Sequence, residues 1–426
     1  MFASAAQAVV LLILARVVDV NSFGVLNSAL AAGLLAVSAA DFGTSTLLAK
    51  AQAKRDFETA DACIKFSVST TFICIIALLV AVAWYTKFDS LAGPLIALAV
   101  GVSLEKNAEC LLSVPMANGN KFIAPLSVLL RRSVTLLAFV CMLPLGVTGE
   151  WAYGLSYVVG SVAGQIHLRH TVAEAPPLWS PGKLGLEIMR KAFPYFISNI
   201  SAQSRLLDLP VVALTSSAIA AGLYAGATKV TSPFMLIPTV LTALIMPHAV
   251  RQRKHMAAAL ARKMFIFAVV SELLFFAPLA LFSDRLVVLL LGHAFTAAAP
   301  AFAWTLVGIP FFGLASPLGS VLQSQGKERI VAVNGVVFAA ISLCGTATLC
   351  ILFGIWGAAA AMTISYGLKC IVLMLVINRT LKRTHRRMST ERAESDEMSP
   401  QHAGGHVARP EVSDERTGGP PPTYST

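Results

Sequence analysis

A chain of 426 residues that is 56% hydrophobic and only 13% charged, with a mean hydropathy of +0.72, carries more apolar surface than a soluble core of that length needs. Its solvent is the bilayer. The net charge of +11 and a pI near 9.5 then read as a membrane-topology signal, and nucleic-acid binding is set aside.

A spanning helix needs roughly 20 mostly apolar residues, because the hydrocarbon core is about 30 Å thick and a helix rises about 1.5 Å per residue. The segments 1–18, 23–48, 63–86, 91–117, 122–145, 151–168, 193–217, 222–248, 262–283, 300–322, 330–353 and 354–378 meet this requirement. The first begins at Met1 with no polar lead. A signal peptide is the alternative reading, but another spanning segment follows at once. The joins are short except 170–190. The expected organisation is an N-terminal six-helix lobe over 1–170, a cytoplasmic linker over 171–192, a second lobe over 193–378 and a disordered cytoplasmic tail over 379–426.

Basic residues concentrate in alternate joins: Lys50, Lys54 and Arg55, then Lys121, Arg169, Lys183, Arg190, Lys191, Arg251, Arg253, Lys254, Arg262, Lys263, Lys327, Arg329 and the run from Arg379. The other joins hold little beyond Lys87 and Arg285. The positive-inside rule therefore places both termini in the cytoplasm. The tail is charged, rich in Pro, Gly and Ser, and too poor in apolar residues to offset its ordering entropy. Seven cysteines are scattered through the apolar segments with no Cys-x-x-Cys spacing and no His/Cys cluster, so they read as small packing residues, not metal ligands. No metal or cofactor is expected.

The chain repeats itself. Gly24-Val25-Leu26 matches Gly222-Leu223-Tyr224, and Ser113-Val114 with Gly119 matches Ser320-Val321 with Gly326. Gly146-Val147, Gly149 and Ser156-Tyr157 match Gly354-Ile355, Gly357 and Ser365-Tyr366. These landmarks recur in one order at an offset of roughly 200 residues. Two parallel six-helix halves with a site between them are a transporter arrangement.

Several short runs resemble the Wzx-type polysaccharide and O-antigen flippases of the MOP superfamily. They are Ala15-Arg16, Ser22-Phe23-Gly24, Asp41-Phe42-Gly43, Arg205-Leu206-Leu207-Asp208, and Ala221 through Ala227. Ile237-Pro238, Met246-Pro247, Leu290-Leu291-Gly292, Gln325-Gly326-Lys327 and Gly354 through Ala359 complete the pattern. The resemblance implies an all-α integral membrane protein of about twelve helices in two lobes related by pseudo-two-fold symmetry, as in MATE transporters. It implies alternating access for an undecaprenyl-diphosphate-linked oligosaccharide across the bacterial inner membrane, for surface polysaccharide synthesis. H+ or Na+ is a coupling ion it allows, and polysaccharide polymerase machinery is a partner it suggests.

Such a cargo has a tail that stays in lipid and an anionic, hydroxylated head that does not, so the protein must offer a cationic, water-accessible cavity. Arg131 and Arg132 stand near the middle of the fifth segment, about 100° apart on the helix, so both can edge one cavity without pointing alike. Arg16 and Arg205 are further lining residues, with snorkelling and a structural ion pair as the bland alternatives. Asp208 shares a helix face with Arg205. Glu105 and Glu109, four apart, suit proton exchange or salt bridges to Arg131, Arg132 or Lys106. Asp41, Lys229, Glu272 and Lys369 are membrane-level charges with weaker claims. No Gly-Lys-Ser/Thr phosphate loop, Ser/His/Asp set or external domain speaks for an enzyme. A cation-coupled small-molecule antiporter of the same superfamily is the alternative, and it would call for an acidic cavity.

Overall fold

The computed structural model describes residues 2–87, 89–120, 122–172, 185–231, 254–324 and 327–397. Most of the expected linker, the second half of the eighth segment with Pro233, Pro238 and Pro247, and the tail beyond residue 397 lie outside them. Among the described residues all regular structure is helical. Residues 1–378 form one compact unit and 379–426 a second.

The first half contains α1 (Phe2–Val17), α2 (Val20–Ala40), α3 (Thr44–Ala53), α4 (Phe57–Thr86), α5 (Ala92–Ala117), α6 (Ile123–Met142) and α7 (Gly149–Thr171). The second contains α8 (Leu186–Gln203), α9 (Asp208–Thr215), α10 (Ala218–Thr231), α11 (Lys254–Ser271), α12 (Ala277–Leu281), α13 (Ser283–Leu291), α14 (Ala299–Ser324), α15 (Glu328–Phe353) and α16 (Ile355–Glu397). Among the described residues every expected segment is helical, though three are interrupted. The second breaks between α2 and α3, where Phe42 and Gly43 take positive φ angles of 51° and 78°. A right-handed helix has no place for two such residues. The Asp41 carboxylate gathers the Thr44 and Ser45 hydroxyls at 2.9 Å and so starts the chain again as α3.

The seventh segment is cut by a 3₁₀ turn, Ser204–Leu207, just before Pro210. The ninth contains a π turn, Glu272–Phe276, ahead of Pro278. One helix was not expected at all: α13 lies in the join between the ninth and tenth segments, with Val287 and Leu291 buried and Leu289 exposed. The expected disordered tail also begins differently. Residues 379–397 are helical, for they contain no Gly or Pro and are rich in Arg, Lys and Glu, all good helix formers.

Seven helices among the described residues are long and apolar enough to cross a membrane by length and composition, α4, α6 and α15 among them. The more polar α5 and α7 are packed against each other, while α4 and α6 turn Ile76, Val80 and Leu137 outward. This is the order a bilayer imposes, with polar helix faces turned to protein and apolar faces to lipid. Five of the seven cysteines, Cys63, Cys74, Cys110, Cys350 and Cys370, are buried packing residues.

The two halves meet at both ends of the bundle. At the end opposite the basic joins, α2 crosses α10 in backbone contact. A Cβ on Gly24 would strike the Ala218 carbonyl, and one on Gly222 would strike the Val20 carbonyl. These are the two glycines of the first repeat landmark, so the repeated sequence marks a repeated contact. Phe23 and Phe295 seal it with an edge-to-face pair, ring centroids 5.3 Å apart. At the basic end Phe42 stacks on Phe196 with centroids 4.5 Å apart, and Lys50 Nζ donates to the Tyr195 hydroxyl at 2.8 Å.

Candidate functional site

The expected charged residues fall into four groups. In the first, Glu105 of α5 anchors a buried cluster. Arg132 Nη2 lies 2.6 Å and Arg131 Nη1 3.6 Å from the same Glu105 oxygen, and the Tyr157 hydroxyl donates to the other oxygen. The two arginines part company here. Arg131 is 4% exposed and fills a slot on α7, where a Cβ on Gly164 would strike its side chain and one on Gly160 its backbone. Arg132 is 18% exposed, with its guanidinium 5.8 Å from the Tyr157 ring. Arg132 is thus the more accessible of the two. Glu109 does not face Glu105 but pairs with Lys106 at 3.4 Å, so the two carboxylates form no dyad.

The slot had a sequence signal that the charged residues overshadowed. Gly160-Ser161-Val162-Ala163-Gly164 is a small-xxx-small pattern, which lets another helix approach closely.

The second group lies in the other half. Arg205 is exposed, with its guanidinium 4.5 Å from the Phe312 ring and 5.7 Å from the Tyr366 ring. Lys369 Nζ is 5.5 Å from the same Tyr366 ring. An aromatic face partly compensates a cation. Asp208, three residues on, turns inward and is 4% exposed. Lys229 of α10 lines an apolar pocket with Leu11, Phe23, Leu290 and Leu291.

The third group is Asp41 with a polar recess lined by Ser67, Thr70, Thr71, Ser103 and Lys106, all within the first half. The fourth is Arg16 alone. Its Nη2 donates to the Leu289 carbonyl at 2.5 Å and its Nε to the Leu290 carbonyl at 3.4 Å. Those carbonyls end α13 and have no helical partner of their own, and a cation suits a helix C-terminus. Arg16 therefore ties the first half to the second beside the Gly24–Gly222 crossing. Arg16→Ala is expected to weaken that closure by about 0.3–1 kcal/mol. In a background freed of native cysteines, Ser22→Cys, 8% exposed at its native residue, should then react several times faster with an impermeant maleimide. An unchanged rate would remove Arg16 from the closure.

No sequence-family model matches the chain, and no curated protein matches it by sequence. Its likeness is to solved structures. One is the inward-facing conformation of a multidrug resistance MATE family transporter of the MOP superfamily, at 16% identity over 89% of this chain and 99% of that one, TM-score 0.61. Another is the lipid II flippase MurJ in an inward closed conformation, at 13% identity over 88% and 86% of the two chains, TM-score 0.68. A third is a MOP superfamily transporter from Pyrococcus furiosus described by the reverse polarity of its binding pocket, at 17% identity over 89% and 95%, TM-score 0.54. The chain thus shares the fold of these solved structures: all-α, with about twelve helices in two six-helix lobes.

Proposed function

We propose that this chain is a flippase that moves an undecaprenyl-diphosphate-linked oligosaccharide across the bacterial inner membrane by alternating access, for surface polysaccharide synthesis. The observation that carries the reading is an arginine at membrane depth beside aromatic rings in each half: Arg132 by Tyr157, and Arg205 by Phe312 and Tyr366. Each cation held at membrane depth costs about 2.5–3.5 kcal/mol on insertion scales, and an anionic cargo group offsets part of that cost. A diphosphate is such a group, and a site that both lobes share is one that alternating access can expose to either side. The Phe312 and Tyr366 rings offer flat apolar faces beside the cations. Arg132→Ala with Arg205→Ala should insert at normal levels yet fail to restore surface polysaccharide in a flippase-null strain. Full complementation at matched protein level would overturn the reading.

The orientation belongs to the same proposal: basic joins and both termini in the cytoplasm. A cysteine at Lys54 should react only with reagent admitted to the cytoplasm, and one at Asp89 only from outside. The reverse pattern would invert the topology.

A second reading, a MATE-like cation-coupled antiporter of small molecules, has one observation in its favour. The Asp41 recess, an acid 4% exposed and surrounded by hydroxyls, is chemistry suited to a cation. It sits inside one lobe and not between the two, so it fits a coupling ion better than a cargo.

A further inference from the structure

Glu272 is a carboxylic acid that nothing in its surroundings explains. It is 8% exposed, and both of its side-chain oxygens are buried without a hydrogen-bond partner among the described residues. It opens the π turn of the ninth segment, and the Ala277 N–H bonds back five residues to its carbonyl. Pro278 accounts for the turn itself: it has no N–H to give to the Leu274 carbonyl, and its ring would collide with that carbonyl in a regular helix. The proline does not account for an acid there. The next three residues, Leu273, Leu274 and Phe275, are exposed as lipid-facing residues are, so the acid lies on the protein-facing side of this helix.

Among the described residues no charged group offsets it. The helix packed along this stretch, α14, contains no ionisable residue from Ala299 to Ser324. On its own helix the nearest are Lys263 and Arg262, more than two turns away, and in the other direction Asp284 and Arg285, three turns away. Among the described residues a carboxylate ion so placed has neither a donor nor a counter-ion, which favours the neutral acid there. π turns recur at functional sites because they leave backbone groups ready to change partner.

We propose that Glu272 is a proton-binding site of the second lobe. It is neutral in the conformation seen here and becomes charged only when the lobes rearrange and water reaches the π turn. Proton binding at Glu272 thereby couples the lobe movement to the proton gradient. This rests on the transporter reading but not on the identity of the cargo.

The test has two arms, both on the full chain in lipid nanodiscs or vesicles. Infrared difference spectra across a pH titration should show the carbonyl band of a protonated carboxylic acid at neutral pH. That band should lose intensity in Glu272→Gln, while Asp41→Asn and Asp208→Asn, at two other buried acids, leave the Glu272 component in place. Glu272→Gln should also match wild type in yield and melting, because the amide mimics the neutral acid. Its transport should lose its dependence on an imposed proton gradient. A band unaltered by Glu272→Gln, or transport that still follows the gradient in that variant, would overturn the proposal. Failure of wild type to move a lipid-linked oligosaccharide at all would overturn the cargo assignment and leave the infrared arm standing.

Discussion

Alanine at Gly24 or at Gly222 is expected to be among the most damaging small substitutions in the chain. Each added methyl meets a backbone carbonyl of the opposite lobe, and a carbonyl cannot swing aside as a side chain can. The α2–α10 crossing must widen, at a cost of roughly 1–3 kcal/mol for overpacking. That is about one to two factors of ten in the population of the closed arrangement. The closure at this end should loosen, cysteine labelling at Ser22 should rise, and complementation should fall steeply. Gly33 of the same helix is the control. A Cβ there meets only a Val102 methyl at 3.7 Å, an ordinary contact, so Gly33→Ala should leave both readouts near wild type. Equal tolerance of alanine at Gly24 and Gly33 would show that the crossing is not what holds the lobes.

The second large effect is expected at Glu105. It holds two arginines and a tyrosine hydroxyl in the interior of the first lobe. Removing one member of a buried charge cluster leaves the others uncompensated, typically at a cost of about 3–5 kcal/mol. Glu105→Leu should therefore collapse folded yield. Arg132→Leu should not, because Arg131 and Tyr157 still satisfy the carboxylate. The contrast is between a fold defect at Glu105 and a transport defect at Arg132, read by yield and melting on one side and complementation on the other. Normal yield of Glu105→Leu would mean the arginines find other partners, and the cluster would lose its structural role.

Much of this was legible in the sequence, for particular reasons. Spanning segments are written in hydropathy alone, and among the described residues seven helices are long and apolar enough to cross a membrane. The Gly24 and Gly222 landmarks were visible as a repeat, and their meaning as a physical crossing became visible only in three dimensions. The break at Asp41-Phe42-Gly43 was in plain view as a motif but was placed inside a continuous helix. One glycine late in a membrane helix is tolerated too often to announce an end. The nine-residue α13 is too short for a periodicity reading, so Arg16 lacked its partner in any sequence argument. The separate fates of Arg131 and Arg132 follow from the 100° between them, which says that they differ but not which one is buried. Gly160 and Gly164 on a distant helix decide that.

Buried acids gave the weakest signal. Asp208, Glu105, Asp41 and Glu272 look alike in a string of apolar letters. Glu105 turns out to be paired with arginines, Asp41 surrounded by hydroxyls, Asp208 set beside an aromatic-stacked arginine, and Glu272 left alone. Those differences depend on neighbours tens to hundreds of residues away.

The measurement that bears most directly on the central claim is flipping by the purified chain in proteoliposomes. The vesicles would carry a labelled undecaprenyl-diphosphate oligosaccharide in both leaflets and a membrane-impermeant glycosidase outside. The inner-leaflet pool should become accessible with the wild-type chain and stay protected with Arg132→Ala/Arg205→Ala at the same protein density. Continued protection with the wild-type chain, in vesicles where the same chain exchanges a small organic cation for protons, would contradict the flippase account and select the antiporter.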